Sequence, residues 1–311
     1  MSLATRMEFG KALIEIAKTN TEFVLFSADT KACGIEKFGQ LYPGREYNVG
    51  IAEQNLMGAS AGFASCGHKV FATTYAVFAS MRACEQVRTF ICYPKLNVTI
   101  VSSHGGLQVG PDGATHMATE DLSIMRSFPN MTIIQPADAL SARAAARAAV
   151  NFEGPLYVRL MRDPVPDVYD EASCRFEIGK ANTVRDYGND AAIIATGIMV
   201  GKSLAAAEKL KTMGIKVKVL DVHTLKPLDE AAVIAAAEAT RAVITAEDHT
   251  ILGGLGSAVA EVLGEKCPVK MKRIGIKDAF GESGDPESLY KKHGMSVDDI
   301  VNAAQMLRTT K

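Results

Sequence analysis

Asp29, Glu53, Tyr75 with Phe78, and His104 are residues of chemically active types, and each follows a short apolar run of strand-like composition. Open parallel sheets bind ligands beyond the carboxyl ends of their strands. Two carboxylates, two aromatic rings and an imidazole are therefore expected at one sheet edge. Singly, each has an ordinary structural role: an Asp after a strand caps a helix, a Tyr fills the core or its rim, and a His is a hydrogen-bonded surface group. Together they point to a functional site. A second signal is the segment 98–120, which leaves a strand and strings together Gly105-Gly106, Gly110-Pro111 and Asp112-Gly113 before a helix. So many turn formers predict a long, shaped loop whose backbone can approach a ligand closely. The loop carries His104 and His116 twelve positions apart, with Asp112 between them. That spacing suits a loop-built pocket and not an i,i+4 metal pair, and with no third ligand nearby zinc is not expected.

The elements that would hold these groups follow from periodicity. Strands are predicted at 23–27, 47–51, 70–75, 98–102, 132–135 and 156–160, with helices at 6–18, 55–65, 78–90, 119–126 and 139–151. This alternation, with little hairpin signal, predicts a mostly parallel sheet flanked by helices. Asp163-Pro164-Val165-Pro166 opens a polar stretch, read as a linker over 166–190. The second half repeats the pattern with strands at 191–196, 217–222, 242–246 and 272–276 and helices at 200–213, 229–239, 255–263 and 297–307. The fold class is thus α/β with two domains, spanning 1–165 and 191–311.

Bulk composition excludes several classes. With 311 residues, 48% hydrophobic and 22% charged, the chain can bury two ordinary cores and is not disordered. A net charge of −1 gives no field for nucleic acid or an anionic membrane, so an anionic substrate must be caught by locally placed cations. Cys33, Cys66, Cys84, Cys92, Cys174 and Cys267 form no CxxC pair and read as thiols of a reducing compartment. Nothing at the N-terminus resembles a signal peptide, and the apolar run at 191–196 is too short to span a bilayer. The expectation is a cytoplasmic protein.

Gly50-Ile51-Ala52-Glu53-Gln54-Asn55, followed by the small residues Gly58-Ala59-Ser60-Ala61-Gly62, resembles the glutamate segment of transketolases and related thiamine-diphosphate enzymes. Asp112-Gly113-Ala114-Thr115-His116 with Glu120 resembles the loop of transketolases and deoxyxylulose-phosphate synthases. Ser127-Phe128-Pro129-Asn130 and Gln135-Pro136-Ala137-Asp138 resemble the segments that follow it. Ala195-Thr196-Gly197, Glu247-Asp248-His249 and Gly253-Gly254-Leu255-Gly256-Ser257-Ala258 resemble the C-terminal domain of the same enzymes. The resemblance covers essentially the whole chain. It implies a pyrimidine-binding domain at 1–165 and a transketolase C-terminal-like domain at 191–311. The family binds the cofactor diphosphate and a divalent metal such as Mg2+ through a GDG segment and a downstream Asn, and no GDG occurs here. The chain therefore looks like the C-terminal subunit of a split transketolase. Its implied partner is a separate diphosphate-binding N-terminal subunit, and the implied assembly is a homodimer of this chain within a heterotetramer.

The resemblance also implies roles. Glu53 matches the carboxylate that shares a proton with the cofactor pyrimidine, a task that calls for apolar surroundings, for which Ile51, Leu56 and Met57 are available. Tyr75 and Phe78 match the rings that stack on the pyrimidine, Phe71 is a further candidate, and Asp29 matches an Asp near the cofactor. His104, Asp112 and His116 match positions that contact sugar substrates, with His116 nearest the reacting carbon. Arg162 and Arg6 match phosphate-binding arginines, with Arg159 the alternative to Arg162. Where the family has a phosphate-contacting Ser, this sequence offers Cys33, with Lys31 close by. The expected activity is transfer of a two-carbon ketol unit between ketose and aldose phosphates. The alternatives are the β-subunit of a 2-oxoacid dehydrogenase E1, a deoxyxylulose-phosphate-synthase-like enzyme, and a non-catalytic assembly or regulatory module.

Overall fold

The computed structural model describes residues 3–30 and 33–309, so Lys31 lies outside the described residues. The strands are β1 (Phe23–Ser27), β2 (Glu46–Asn48), β3 (Lys69–Tyr75), β4 (Val98–Ser103), β5 (Thr132–Ile134), β6 (Leu156–Arg159), β7 (Asn182–Asp186), β8 (Ala191–Ala195), β9 (Val217–Asp221), β10 (Thr224–Lys226), β11 (Ala242–Thr250) and β12 (Lys270–Ile276). Among the described residues they form two sheets, of order β10-β5-β6-β4-β3-β1-β2 and β12-β11-β8-β9-β7. Both sheets are parallel except at one edge each, where β10 pairs antiparallel with β5 and β7 antiparallel with β9. Strands buried on both faces read as continuous apolar runs, and β4 and β8 are buried along their whole length. Two α/β layers are therefore what the sequence pattern dictates. No described helix is long and apolar enough to cross a membrane.

Four segments depart from the periodicity reading. Asn182–Asp186, within the stretch read as a linker, is an edge strand; its polar, half-exposed residues lack the apolar run of a buried strand. Thr224–Lys226 leaves the second domain to complete the first sheet, with Thr224 opposite Ile134 and Lys226 opposite Ile133. The helix expected at 78–90 is wider than an α-helix, with π-helical turns at Phe78–Arg82 and Val87–Cys92 around Cys84–Gln86. Such wide turns are rare and gather at functional sites. The strand expected at 47–51 ends at Asn48, whose Oδ1 accepts from the Gly50 N–H at 2.9 Å and from the Asp29 N–H at 3.0 Å.

The two domains share a buried polar seam. Arg159, at the end of β6, is fully buried. Its Nε donates to Asp121 Oδ2 at 2.8 Å, and its Nη2 donates to the Ala118 carbonyl at 2.7 Å and the Asp248 carbonyl at 3.0 Å. The Tyr157 hydroxyl donates to the same Asp121 oxygen at 2.8 Å. The Asp248 carboxylate, carried by β11 of the second domain, accepts from the Leu107 N–H at 2.9 Å and the Tyr290 hydroxyl at 2.7 Å. Around this seam Leu122, Met125 and Phe128 belong to one apolar cluster with Leu225, Leu255 and Val259. The alternative reading of Arg159 as a phosphate ligand is thereby corrected: its guanidinium is fully buried, and its Nε and Nη2 donors are bonded inside the protein.

Breaking a buried ion pair from one side leaves an uncompensated charge, at a cost of about 3–5 kcal/mol. Arg159→Met is expected to lose that much in urea unfolding, and Arg159→Met combined with Asp121→Leu to lose less than the single change. A loss below about 1 kcal/mol for the single variant would mean that the seam does not hold the halves together.

Candidate active site

The carboxyl ends of β3 and β4 deliver the expected rings side by side. Tyr75 closes β3, and its ring centroid lies 4.2 Å from that of His104, which follows β4. His116, from the loop after β4, comes within 5.9 Å of Tyr75 and 5.4 Å of Phe78, and Tyr75 and Phe78 lie 5.9 Å apart. Four residues lying between positions 75 and 116 of the sequence thus form one aromatic floor. Tyr75, Phe78 and His116 are half-buried, and His104 is buried.

His104 adopts φ +66°, a left-handed conformation that non-glycine residues take at a cost and that recurs at functional sites. The surrounding seam holds it there. Gly105 and Gly106 follow; a Cβ on Gly105 would come within 2.7 Å of the Arg159 guanidinium, and one on Gly106 within 2.2 Å of the Asp248 carboxylate. Only glycine lets the loop pass this close to the seam. The Ser103 hydroxyl lies 2.8 Å from His104 Nδ1, which fixes the ring, and the Thr115 hydroxyl lies 3.0 Å from His116 Nδ1. Burial pushes the His104 imidazole pKa down to about 3, with the Arg6 and Arg162 cations and His116 adding to the shift. It is therefore a neutral ring that can donate or accept a hydrogen bond, and not a standing positive charge.

Glu53 opens the helix Glu53–Ser65 and is 1% exposed. Its Oε2 is 2.9 Å from Arg82 Nη1, and the Arg82 guanidinium carbon lies 4.1 Å above the Phe78 ring. Arg82 therefore ties the carboxylate to the aromatic floor. Leu56 and Met57 are buried beside Glu53 in sequence as expected, whereas Ile51 is 76% exposed and gives Glu53 no apolar shelter. At the other end, Arg6 Nε donates to the Arg162 carbonyl at 2.7 Å, and Arg162 lies 3.5 Å from Asp112 Oδ2 and 3.0 Å from Asp163 Oδ1. Both cations are charged neighbours of His104.

Three expected residues take other places. Phe71 is fully buried and packs edge-on against Phe23 at 5.1 Å, so no ligand reaches it. Cys33 is 1% exposed, with its Sγ 3.9 Å from the Val101 carbonyl, and burial pushes its thiol up to about 12. An inert thiol turned inward does not replace a phosphate-binding hydroxyl. Asp29 is exposed at the end of β1 with φ +54°, and its Oδ1 accepts from Asn48 Nδ2 at 2.8 Å; it frames the edge without joining the rings. Sequence reasoning missed Arg82, although its place four residues after Phe78 on a helical segment was a usable signal. It also missed Ser103.

The donor set fits one end of an aminopyrimidine cofactor: half-open aromatic faces for a flat ring, and a buried carboxylate for its edge. Among the described residues no group of three or more His, Cys, Asp and Glu side chains could hold a metal ion.

Residues 1–167 match the family model of the transketolase pyrimidine-binding domain, and residues 179–300 that of the transketolase C-terminal domain. The chain is 44% identical over 300 residues to the 6-deoxy-6-sulfo-D-fructose transketolase subunit of Clostridium sp. (strain MSTE9), covering 96% of this chain and 92% of that one. It is 42% identical over 298 residues to a putative transketolase C-terminal section of Methanocaldococcus jannaschii, covering 95% and 93%. A solved structure described as a split gene transketolase, inactive beta4 tetramer, superposes with a TM-score of 0.92 at 45% identity and covers 99% of both chains.

A His whose folded pKa is depressed contributes stability that is present above its unfolded pKa, near 6.5, and lost as pH falls through the folded value. The His104 ring resonances are accordingly expected to show no titration between about pH 5 and 8 by NMR. A midpoint near the ordinary imidazole value would overturn the neutral assignment.

Proposed function

The chain belongs to the transketolase family and has the two-domain content of its split-enzyme subunits, and from that premise we propose that it supplies the pyrimidine-binding half of a two-chain thiamine-diphosphate-dependent transketolase. The proposed domains are 1–165, with the aromatic floor, and 191–311, joined through 166–190, of which the edge strand Asn182–Asp186 belongs to the second sheet. The observation that carries the reading is the convergence of Tyr75, Phe78, His104 and His116 with buried Glu53 beside them. A non-catalytic module has no need to keep a neutral, conformationally strained His104 against the Tyr75 ring. When bound, thiamine diphosphate supplies a nucleophilic carbon that accepts a two-carbon unit from a ketose and holds the electron pair released.

The chain's own residues divide the remaining work. Tyr75 and Phe78 offer apolar faces that orient the pyrimidine ring. Glu53 holds a proton between its carboxyl oxygen and a ring nitrogen, out of contact with water. His104 and His116 are placed to hydrogen-bond sugar oxygens and Asp112 to read a hydroxyl. Arg6 and Arg162 form the cationic end for a substrate phosphate. Neither a diphosphate cradle nor a metal cluster is assigned to this chain, so both are proposed for a separate N-terminal subunit that holds Mg2+ or a similar ion. The relative described as an inactive beta4 tetramer supports self-association of such subunits and a need for the partner. We place a homodimer of this chain inside a heterotetramer.

The chain co-purified with a diphosphate-binding partner, thiamine diphosphate and magnesium is expected to transfer a ketol unit from xylulose 5-phosphate to ribose 5-phosphate. Turnover of pyruvate instead would favour the 2-oxoacid dehydrogenase alternative and sink the transketolase reading. Within that complex Glu53→Gln is expected to lower kcat at least about a hundredfold with an unchanged melting temperature, while His104→Ala chiefly raises KM. A fully active Glu53→Gln complex would remove the role given to the carboxylate.

A further inference from the structure

Arg82 sits on the two groups assigned to the cofactor ring. It ends the wide turn Phe78–Arg82, which the Ala83 N–H closes by donating to the Phe78 carbonyl at 3.1 Å. Its guanidinium carbon lies over the Phe78 ring, 4.1 Å from the centroid, while Nη1 donates to Glu53 Oε2 at 2.9 Å. A guanidinium is flat and delocalised, with N–H donors at its rim. An aminopyrimidine offers the same two features, a face for stacking and a nitrogen edge for a carboxylate. Two such planes cannot lie on one face of Phe78 and at one carboxylate oxygen together.

We propose that Arg82 is a place-holder for the aminopyrimidine, pairing Glu53 and covering Phe78 until the cofactor ring displaces it. The proposal rests on the reading of Glu53 and Phe78 as the pyrimidine site. Its physical sense lies in the exposures: the Glu53 side chain is 1% exposed and that of Arg82 48%. A buried carboxylate left without a partner is costly, and a mobile surface arginine satisfies it at the expense of a contact that is easily given up. Arg82 can swing outward because half of it already meets solvent, while Glu53 is held by the helix Glu53–Ser65 and Phe78 by the start of the wide turn. The pairing therefore acts as a competitor and lowers cofactor affinity by the weight of one half-exposed ion pair and one stacked cation, roughly three- to tenfold.

The test is calorimetric titration of thiamine diphosphate, with Mg2+, into the complex of this chain and its diphosphate-binding partner. Arg82→Met, and Arg82→Gln as a second variant, are expected to tighten binding by roughly three- to tenfold, with Arg82→Lys in between. Unchanged or weaker binding by both would overturn the place-holder and make Arg82 a support for Glu53. Glu53→Gln and Phe78→Ala serve as the separate control. If those two bind the cofactor as tightly as the native complex, the site reading itself fails, whatever Arg82 does.

Discussion

The fully buried pair of Arg159 and Asp121 is the interaction on which the arrangement depends. A guanidinium with no solvent must spend its donors inside the protein, or the charge cannot be buried at all. Here the Nε and Nη2 donors reach Asp121 from the helix Asp121–Ser127, the Ala118 carbonyl from the site loop and the Asp248 carbonyl from the other domain. One side chain thereby fixes the end of β6, the return of the loop and the approach of β11. Asp248 completes the arrangement by gripping the Leu107 N–H and the Tyr290 hydroxyl, with burial raising its carboxyl above the usual range.

The site inherits its geometry from that seam. Because the loop must pass Arg159 and Asp248 at close range, positions 105 and 106 have to be glycine, and His104 is turned into a left-handed conformation just before them. That turn aims the imidazole at Tyr75 and not along the strand. The second domain thus shapes a site whose assigned cofactor and sugar contacts all come from the first. Thr224–Lys226 strengthens the same coupling by adding a strand of the second half to the edge of the first sheet, and Lys226 then reaches the Arg126 and Phe128 carbonyls.

Much of this was legible because strand ends are. The rule that parallel sheets work at their carboxyl edge picked out Tyr75, Phe78 and His104, and the glycine-rich run after β4 marked the loop that brings His116 to them. Phe71 and Arg159 misled for a shared reason: a central parallel strand is buried on both faces, so alternation does not say which residues face a ligand. A charged side chain in such a strand reads as a ligand unless its counter-ion is known, and Asp121 is 38 residues away from Arg159 in sequence. Asn182–Asp186 and Thr224–Lys226 escaped notice because edge strands this short and polar carry no period. The helix Pro286–Lys292 was readable and overlooked, since Asp285-Pro286 with Ser288 is an N-cap signature and the Asp285 side chain accepts from the Ser288 N–H at 2.9 Å.

Glu53 shows why burial and function pull against each other at such a site. A carboxylate meant to act on a ring nitrogen must be shielded from water, yet shielding it before the ring arrives leaves a charge with nothing to meet. Surrounding it with apolar groups alone would meet the first need and fail the second. Here Leu56 and Met57 come with the helix, the exposed Ile51 offers no shelter, and a half-exposed arginine supplies the partner that is proposed to give way. The wide turn at Phe78–Arg82 makes this possible, because it sets the cation directly over the Phe78 ring, the one proposed to stack on the cofactor. Rigid parts, the wide turn and the helix start, hold what must not move. The one long, flexible side chain is assigned the part that must.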